Sequence, residues 1–136
     1  MAGKLTLKLL VPTRAAASRE VDSINLTAME GEVGILPGHA ALLAALKPGP
    51  AAVRDGSAVE HWALGEGVLE IHDDVVTVLA RSAERSDEID VDRARRRLAE
   101  REAEIAREHA SEIELKRAEL SLAKQLVRIR VAEMGS

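Results

Sequence analysis

The chain has no cysteine, no phenylalanine and no tyrosine, and Trp62 is its one aromatic residue among 136. The lack of cysteine excludes a disulfide framework, a thiolate metal site and a cysteine nucleophile, and is compatible with a reducing compartment. The lack of rings argues against modules that stack bases or sugars on aromatic side chains. A basic field is missing too. Nineteen lysines and arginines stand against 23 acidic residues, for a net charge of -4, so no global attraction to nucleic acid or anionic lipid exists. Nothing approaches the ~18 apolar residues of a membrane span. At the N-terminus Lys8 splits, and Pro12 ends, the stretch that faintly resembles a secretion signal. The expectation is a protein with no direct membrane insertion and no nucleic-acid partner.

What the chain does have is aliphatic residues, in two halves of different period. Its length suits one domain with an appendage. Leu5, Leu7 and Leu9 alternate as in a strand with one buried face. Val21, Ile24 and Leu26 share a run, Val53 and Val59 flank "RDGS", and "GVLEIHDDVVTVLA" follows. "DG" at 55–56 and "DD" at 73–74 are turn chemistry between such runs, which predicts two hairpins within a small antiparallel sandwich or barrel.

From Glu88 onward the segment "EIDVDRARRRLAEREAEIAREHASEIELKRAELSLAKQLVRIRVAEM" has neither glycine nor proline and is rich in helix formers. Asp90 is placed to cap a first helix, with Ile89 and Ala94 as a small hydrophobic staple. Ser111 and Glu114 form an S-x-x-E capping box, so a second helix is predicted to begin after "EHAS". Two helices with a tight connection make an antiparallel hairpin. Leu115, Ala118, Leu122, Leu126 and Ile129 give the second helix an apolar stripe. The first has only a thin one from Ala94, Leu98 and Ile105, helped by Ala103 and Ala106. At roughly 25 cal/mol per Å² such a pair is marginal alone and needs the β part, a ligand or a partner.

Candidate sites are few. "EGEVGILPGHAALLAALKPG" at 30–49 is dense in glycine and proline, yet Gly31, Gly34 and Gly38 are not followed by the Lys-Ser/Thr pair of a P-loop. The simplest expectation is that the glycines supply positive φ and Pro37 fixes a turn. His39, His61, His72 and His109 lack metal-ligand spacing, so no metal site is expected. No Ser-His-Asp arrangement can be argued. Trp62 reads as core or sheet surface. The helix charges nearly cancel, as on a solvated face with i,i+4 pairs.

In order along the chain, "EGEVGILPGHAALLAALKPG", "LGEGVLEIHDDVVTVLA", "AERSDEIDVDRARRR" and "KRAELSLAKQLVRIRVAEM" resemble the epsilon subunit of bacterial F-type ATP synthase over nearly the full length. One departure is "LGEGV" at 64–68. Many relatives have two adjacent glycines there, and Glu66 is expected to alter a local bend without changing the fold. The resemblance implies an N-terminal antiparallel β-sandwich of about ten strands, residues 1–87, and a C-terminal antiparallel two-helix hairpin, residues 88–136. It implies a non-catalytic central-stalk (rotor) subunit, peripheral on the cytoplasmic face of the bacterial plasma membrane. The sandwich would dock on the gamma subunit and the c-ring, with Glu30, Glu32 and His39 near the ring and Trp62 a candidate for the gamma side. The hairpin would fold on the sandwich or extend along gamma to the alpha and beta subunits of the head and restrain ATP hydrolysis. In the extended state Arg95, Arg96 and Arg97 would meet acidic surfaces of the head.

"IDVDRA" at 89–94 further resembles the I/L-D-x-x-R-A signature of epsilon subunits that bind ATP without hydrolysing it. On that resemblance the ATP site comprises Glu84, Ile89, Asp90, Arg93, Ala94, Lys124 and Arg128. Asp90 would accept from the adenine amino group or fix the loop, and Arg93 would offer a forked cation to phosphate. Lys124 stands where strong binders often have arginine, which implies weaker binding. No cofactor is required on this reading, and ATP is a regulatory ligand. Two alternatives remain: a purely structural coupler, and a freestanding ATP-binding sensor. A hydrolase is more distant.

Overall fold

The two-residue alternation of the first half is realised as ten strands in the computed structural model, which describes residues 3–106 and 111–134. They are β1 (Leu5–Val11), β2 (Arg14–Val21), β3 (Ser23–Ala28), β4 (Gly31–Ile35) and β5 (Leu42–Leu46), then β6 (Gly49–Asp55), β7 (Ala58–Leu64), β8 (Gly67–His72), β9 (Val75–Ala80) and β10 (Ala83–Arg85). Leu5, Leu7 and Leu9 are all buried, as alternate residues on one face must be. Both expected hairpins are present. The β6–β7 ladder closes at Asp55–Ala58 around Gly56 and Ser57, and the β8–β9 ladder at His72–Val75 around Asp73 and Asp74. Asp73 and Asp74 both have positive φ, 47° and 61°, which gives the two-residue turn a twist that matches its strands.

The hydrogen-bonded path runs β10-β7-β6-β3-β5-β8-β9-β1-β2, with β4 paired to β3 off the path. It passes from one layer of the sandwich to the other between β3 and β5, which share the single ladder pair Ala28–Leu46. The far ends close across the fold, where Arg19 donates to Glu60 at 2.9 Å and Lys4 to Asp55 at 2.7 Å. The antiparallel pattern has one exception. β1 and β9 run parallel, from Thr6 opposite Val75 to Leu10 opposite Leu79, so the C-terminal ends of both strands leave the sheet on the same side.

Between the layers lies an aliphatic core that includes Leu5, Leu7, Ile24, Leu69, Ile71, Val76 and Val78. Trp62 is 3% exposed within it, and its Nε1–H donates to Glu60 Oε1 at 2.6 Å. The lone ring is therefore core, not sheet surface. Close packing also explains "LGEGV". A Cβ on Gly67 would lie 1.9 Å from the Leu79 carbonyl oxygen, so β8 needs glycine there. Glu66 leaves the ladder intact, since Gly67 still pairs with Ala80.

A short 3₁₀ turn at Ser86–Glu88 leads from β10 to α1 (Val91–Ile105), and α2 (Glu112–Met134) follows. In the turn, burial raises the Glu88 carboxyl, but the Arg85 N–H and guanidinium outweigh it and hold it below the usual carboxylate range. Asp90 caps α1, accepting from the Arg93 N–H at 3.0 Å. Ser111 and Glu114 complete the capping box, at 3.1 and 3.3 Å. Arg95 lies near Glu133 and Arg101 donates to Ser121, so the helices run antiparallel. The tight connection expected at "EHAS" falls mostly at 107–110, with His109, outside the described residues.

The apolar face of α2 departs from the expected single stripe. Ala118 is buried, but Leu126 is 51% exposed, while Val127 and Val131 are buried instead. The cause is that α2 packs on α1 and, with an adjacent face, on β6 and β7. Ala63, Val127 and Val131 form a small cluster there, separate from the main core, and Ile89 packs against it. Ile89 thus helps to seat α2 on the sheet.

Candidate functional site

The parallel β1–β9 pair builds the site. Residues just beyond β1 and just beyond β9 emerge side by side, and side chains of both helices line the same space. The result is an open groove of about 420 Å³. Arg14 comes from the start of β2, Arg81 from the β9–β10 connection, Glu84 from β10, Arg93 and Arg97 from α1, and Lys124 and Arg128 from α2. Six cations thus share one groove with one carboxylate. That carboxylate is already engaged: Arg128 Nη2 donates to Glu84 Oε2 at 3.2 Å, and Nε lies 2.7 Å from Oε1. Arg128 Nη1 also donates to Gln125 Oε1 at 2.7 Å. The Nε approach is an ion-pair contact without hydrogen-bond alignment. Arg128 is 7% exposed and Gln125 1%, so this polar link joins α2 to the sheet in a largely dry setting, where charge-assisted hydrogen bonds are strongest.

Of the residues expected at an ATP site, the structure brings Glu84, Arg93, Lys124 and Arg128 together around the groove. Ile89, Asp90 and Ala94 are not in its lining. Ile89 packs on the Ala63, Val127 and Val131 cluster, Asp90 is used as the cap, and Ala94 is fully buried. Arg101 is held by Ser121 and Glu104. Sequence reasoning missed Arg14, the first residue of β2, and Arg81, in the β9–β10 connection, which line one groove because β1 and β9 run parallel. Arg97 also lines the groove.

The residues expected near a c-ring divide. Glu30 and Glu32 line a second groove of about 490 Å³, between β4 and β5. Beside them Met29 and Leu43 are 61% and 72% exposed. His39 follows β4 instead of sharing that groove, and its Nδ1 lies 2.8 Å from the Ala40 carbonyl oxygen. Its loop is pinned by the Gly38 N–H, which donates to Asp74 Oδ1 at 2.7 Å. Gly31 and Gly38 have the expected positive φ, at 134° and 87°, whereas Gly34 does not and pairs with Asn25 as an ordinary residue of β4. Gly49 has another reason, since a Cβ there would lie 2.4 Å from Thr27 Cβ. Among the described residues no group of three or more His, Cys, Asp or Glu could hold a metal ion, and no helix is long and apolar enough to cross a membrane.

Residues 4–86 match the family described as ATP synthase, Delta/Epsilon chain, beta-sandwich domain. The chain is 40% identical to the ATP synthase epsilon chain of Geobacter sp. (strain M21) over 132 residues, 97% of this chain and 96% of that one. It is 38% identical to the epsilon chain of Desulforamulus reducens over 133 residues, 98% of this chain and 100% of that one. Among solved structures, a chain of the Euglena gracilis mitochondrial ATP synthase (OSCP/F1/c-ring, rotational state 1) superposes with a TM-score of 0.81 at 23% identity, covering 96% of this chain and 81% of that one. A chain of the Tetrahymena thermophila mitochondrial ATP synthase central stalk and c-ring gives 0.63 at 16% identity, covering 96% and 98%. At those identities the structures speak to the fold alone. With a sandwich match over residues 4–86 and relatives near 40% identity along almost its whole length, the chain belongs to the ATP synthase epsilon chain family.

Proposed function

We propose that the chain is a non-catalytic central-stalk subunit of a proton-translocating F-type ATP synthase, peripheral at the cytoplasmic face of a bacterial plasma membrane. The sandwich (1–87) docks on gamma and, through the Glu30 and Glu32 groove with His39 nearby, on the c-ring. The hairpin (88–136) alternates between the docked position and an extended one reaching the alpha and beta subunits, where it restrains hydrolysis. ATP binding to the docked form holds it there. Membership of the epsilon family supports the stalk role, and the Euglena and Tetrahymena neighbours are chains of ATP synthase assemblies with a c-ring.

The observation that carries the switch is the weakness and position of the hairpin's attachment. It rests on the small Ala63, Val127 and Val131 cluster and the Glu84–Arg128 link, beside a cationic groove to which sandwich and helices both contribute. Burying two valines contributes on the order of 3–6 kcal/mol before the entropy of docking is subtracted. Such an equilibrium is within reach of a ligand. At a hundredfold excess over Kd, a ligand specific to the docked form adds ~2.7 kcal/mol, which moves a balanced pair of states to about 99:1. Isothermal titration of the isolated protein with ATP should give saturable heat, and Arg93→Ala should weaken binding roughly tenfold through loss of a charge-assisted contact. No heat from millimolar ATP with the wild type would leave the purely structural coupler. A freestanding sensor would not co-purify with gamma.

A further inference from the structure

We propose that Gln125 is a positioning residue: from within the seam between the helices it aims Arg128 at Glu84, and so ties docking to helix pairing. The inference concerns the docked hairpin itself and does not depend on a ligand. Gln125 and Arg128 are the two buried polar side chains among the described residues, and Gln125 is the deeper, 1% exposed. A buried amide is costly unless hydrogen-bonded, so what it holds accounts for it. Its place is the seam. Ser121, one turn earlier on α2, accepts from Arg101 of α1 at 2.9 Å, and Ala118, two turns earlier, is 2% exposed. Steps of three and four put 118, 121 and 125 on one face of α2, and the Arg101 bond turns that face to α1. Val127 and Val131 belong to another face, which meets Ala63 of β7.

Arg128 spans the two faces. Its Nη1 donates to Gln125 Oε1 at 2.7 Å, one turn back on the same helix. Its contacts with Glu84 of β10 are less well directed: Nη2 reaches Oε2 at 3.2 Å, and Nε lies 2.7 Å from Oε1 without hydrogen-bond alignment. Glu84 therefore attracts the guanidinium without fixing its plane. The short bond from the seam fixes it. A guanidinium is flat and rigid, so holding one nitrogen aims the other two. Arg101 hydrogen-bonds to Ser121 and Glu104, and to neither Arg128 nor Glu84. It can reach the link only through the seam. When α1 leaves α2, water competes for the Gln125 amide, and Arg128 loses its aim at the sheet. The contact that docks α2 is thus set from the α1 side of the helix.

The test is side-chain NMR of Arg128 in the full-length protein, with hydrogen exchange of the α2 amides alongside. Held at both ends, the guanidinium should rotate slowly and give separate Nη1 and Nη2 signals. Gln125→Met keeps length, bulk and helix propensity but removes the acceptor. The two signals should merge, and α2 exchange should quicken by up to about tenfold for the loss of one charge-assisted hydrogen bond, while β1, β8 and β9 amides hold. Gln125→Glu keeps an acceptor and should preserve separate signals, with exchange slower than in Gln125→Met. Arg101→Ala, remote from the link, should draw the signals together. Separate signals in Gln125→Met, or α2 exchange no faster there than in the wild type or Gln125→Glu, would overturn the proposal. The amide would then be passive filling, which an apolar side chain replaces at no cost. Signals that merge in Gln125→Met but are unmoved by Arg101→Ala would overturn the tie to helix pairing and leave Gln125 aiming Arg128.

Discussion

Arg128→Ala is expected to release the hairpin while leaving the sandwich folded. The guanidinium spans Glu84 on β10 and Gln125 on α2 and is 7% exposed. Its removal leaves a carboxylate and an amide without their partner in a partly dry site. Losing one member of such a pair costs about 2–3 kcal/mol, below the 3–5 typical of full burial because Glu84 retains 28% exposure. All of that falls on docking, since neither partner is part of the main core. The docking constant should drop roughly 30- to 150-fold. Limited trypsin digestion reads it directly: cleavage within 112–134 should accelerate, by up to that factor with the wild type held docked by saturating ligand and by less from a balanced state, because it tracks the opened population when opening is fast. Arg128→Lys should fall between the two, keeping the charge and losing the fork. Equal digestion of wild type and Arg128→Ala would show that this link does not hold the hairpin.

The second large effect concerns the whole enzyme. Ending the chain at residue 87 removes both helices but none of the strands or the main core, whose buried members all lie in the sandwich. In a reconstituted complex at low ATP, such a truncation should raise hydrolysis. If nine-tenths of complexes are restrained there, the rate rises roughly tenfold. At high ATP, with the hairpin already docked, the truncation should change little. Unchanged hydrolysis at low ATP would remove the inhibitory role and leave a coupler.

Much of this was legible from residues alone, and the limit has a physical origin. Local chemistry reads well. The Leu5, Leu7, Leu9 alternation, the Asp73–Asp74 turn, the Asp90 cap and the Ser111–Glu114 box each depend on neighbours a few positions away, and the structure has them all. Facts that depend on distant partners were hidden. The parallel pairing of β1 with β9 is one. The meeting of Arg14 with Arg81 follows from it and carries no motif. The α2 stripe failed for a related reason. Helical periodicity finds one apolar face, whereas α2 packs on α1 and the sheet together, so Val127 and Val131 are buried and Leu126 is not. "IDVDRA" lay between the two cases. Its Arg93 reaches the groove, while its aspartate is spent on capping.

The proposed switch depends on the separability of the hairpin from the sandwich. Native-state hydrogen exchange, residue by residue on the full-length protein with and without saturating ATP, addresses it most directly. The expected pattern is that α2 amides exchange through an opening several kcal/mol cheaper than global unfolding, which β1, β8 and β9 report, and that ATP slows the helices and not the strands. Strand and α2 amides sharing one opening free energy, unmoved relative to each other by ATP, would mean that the helices and the sheet open only as a single body.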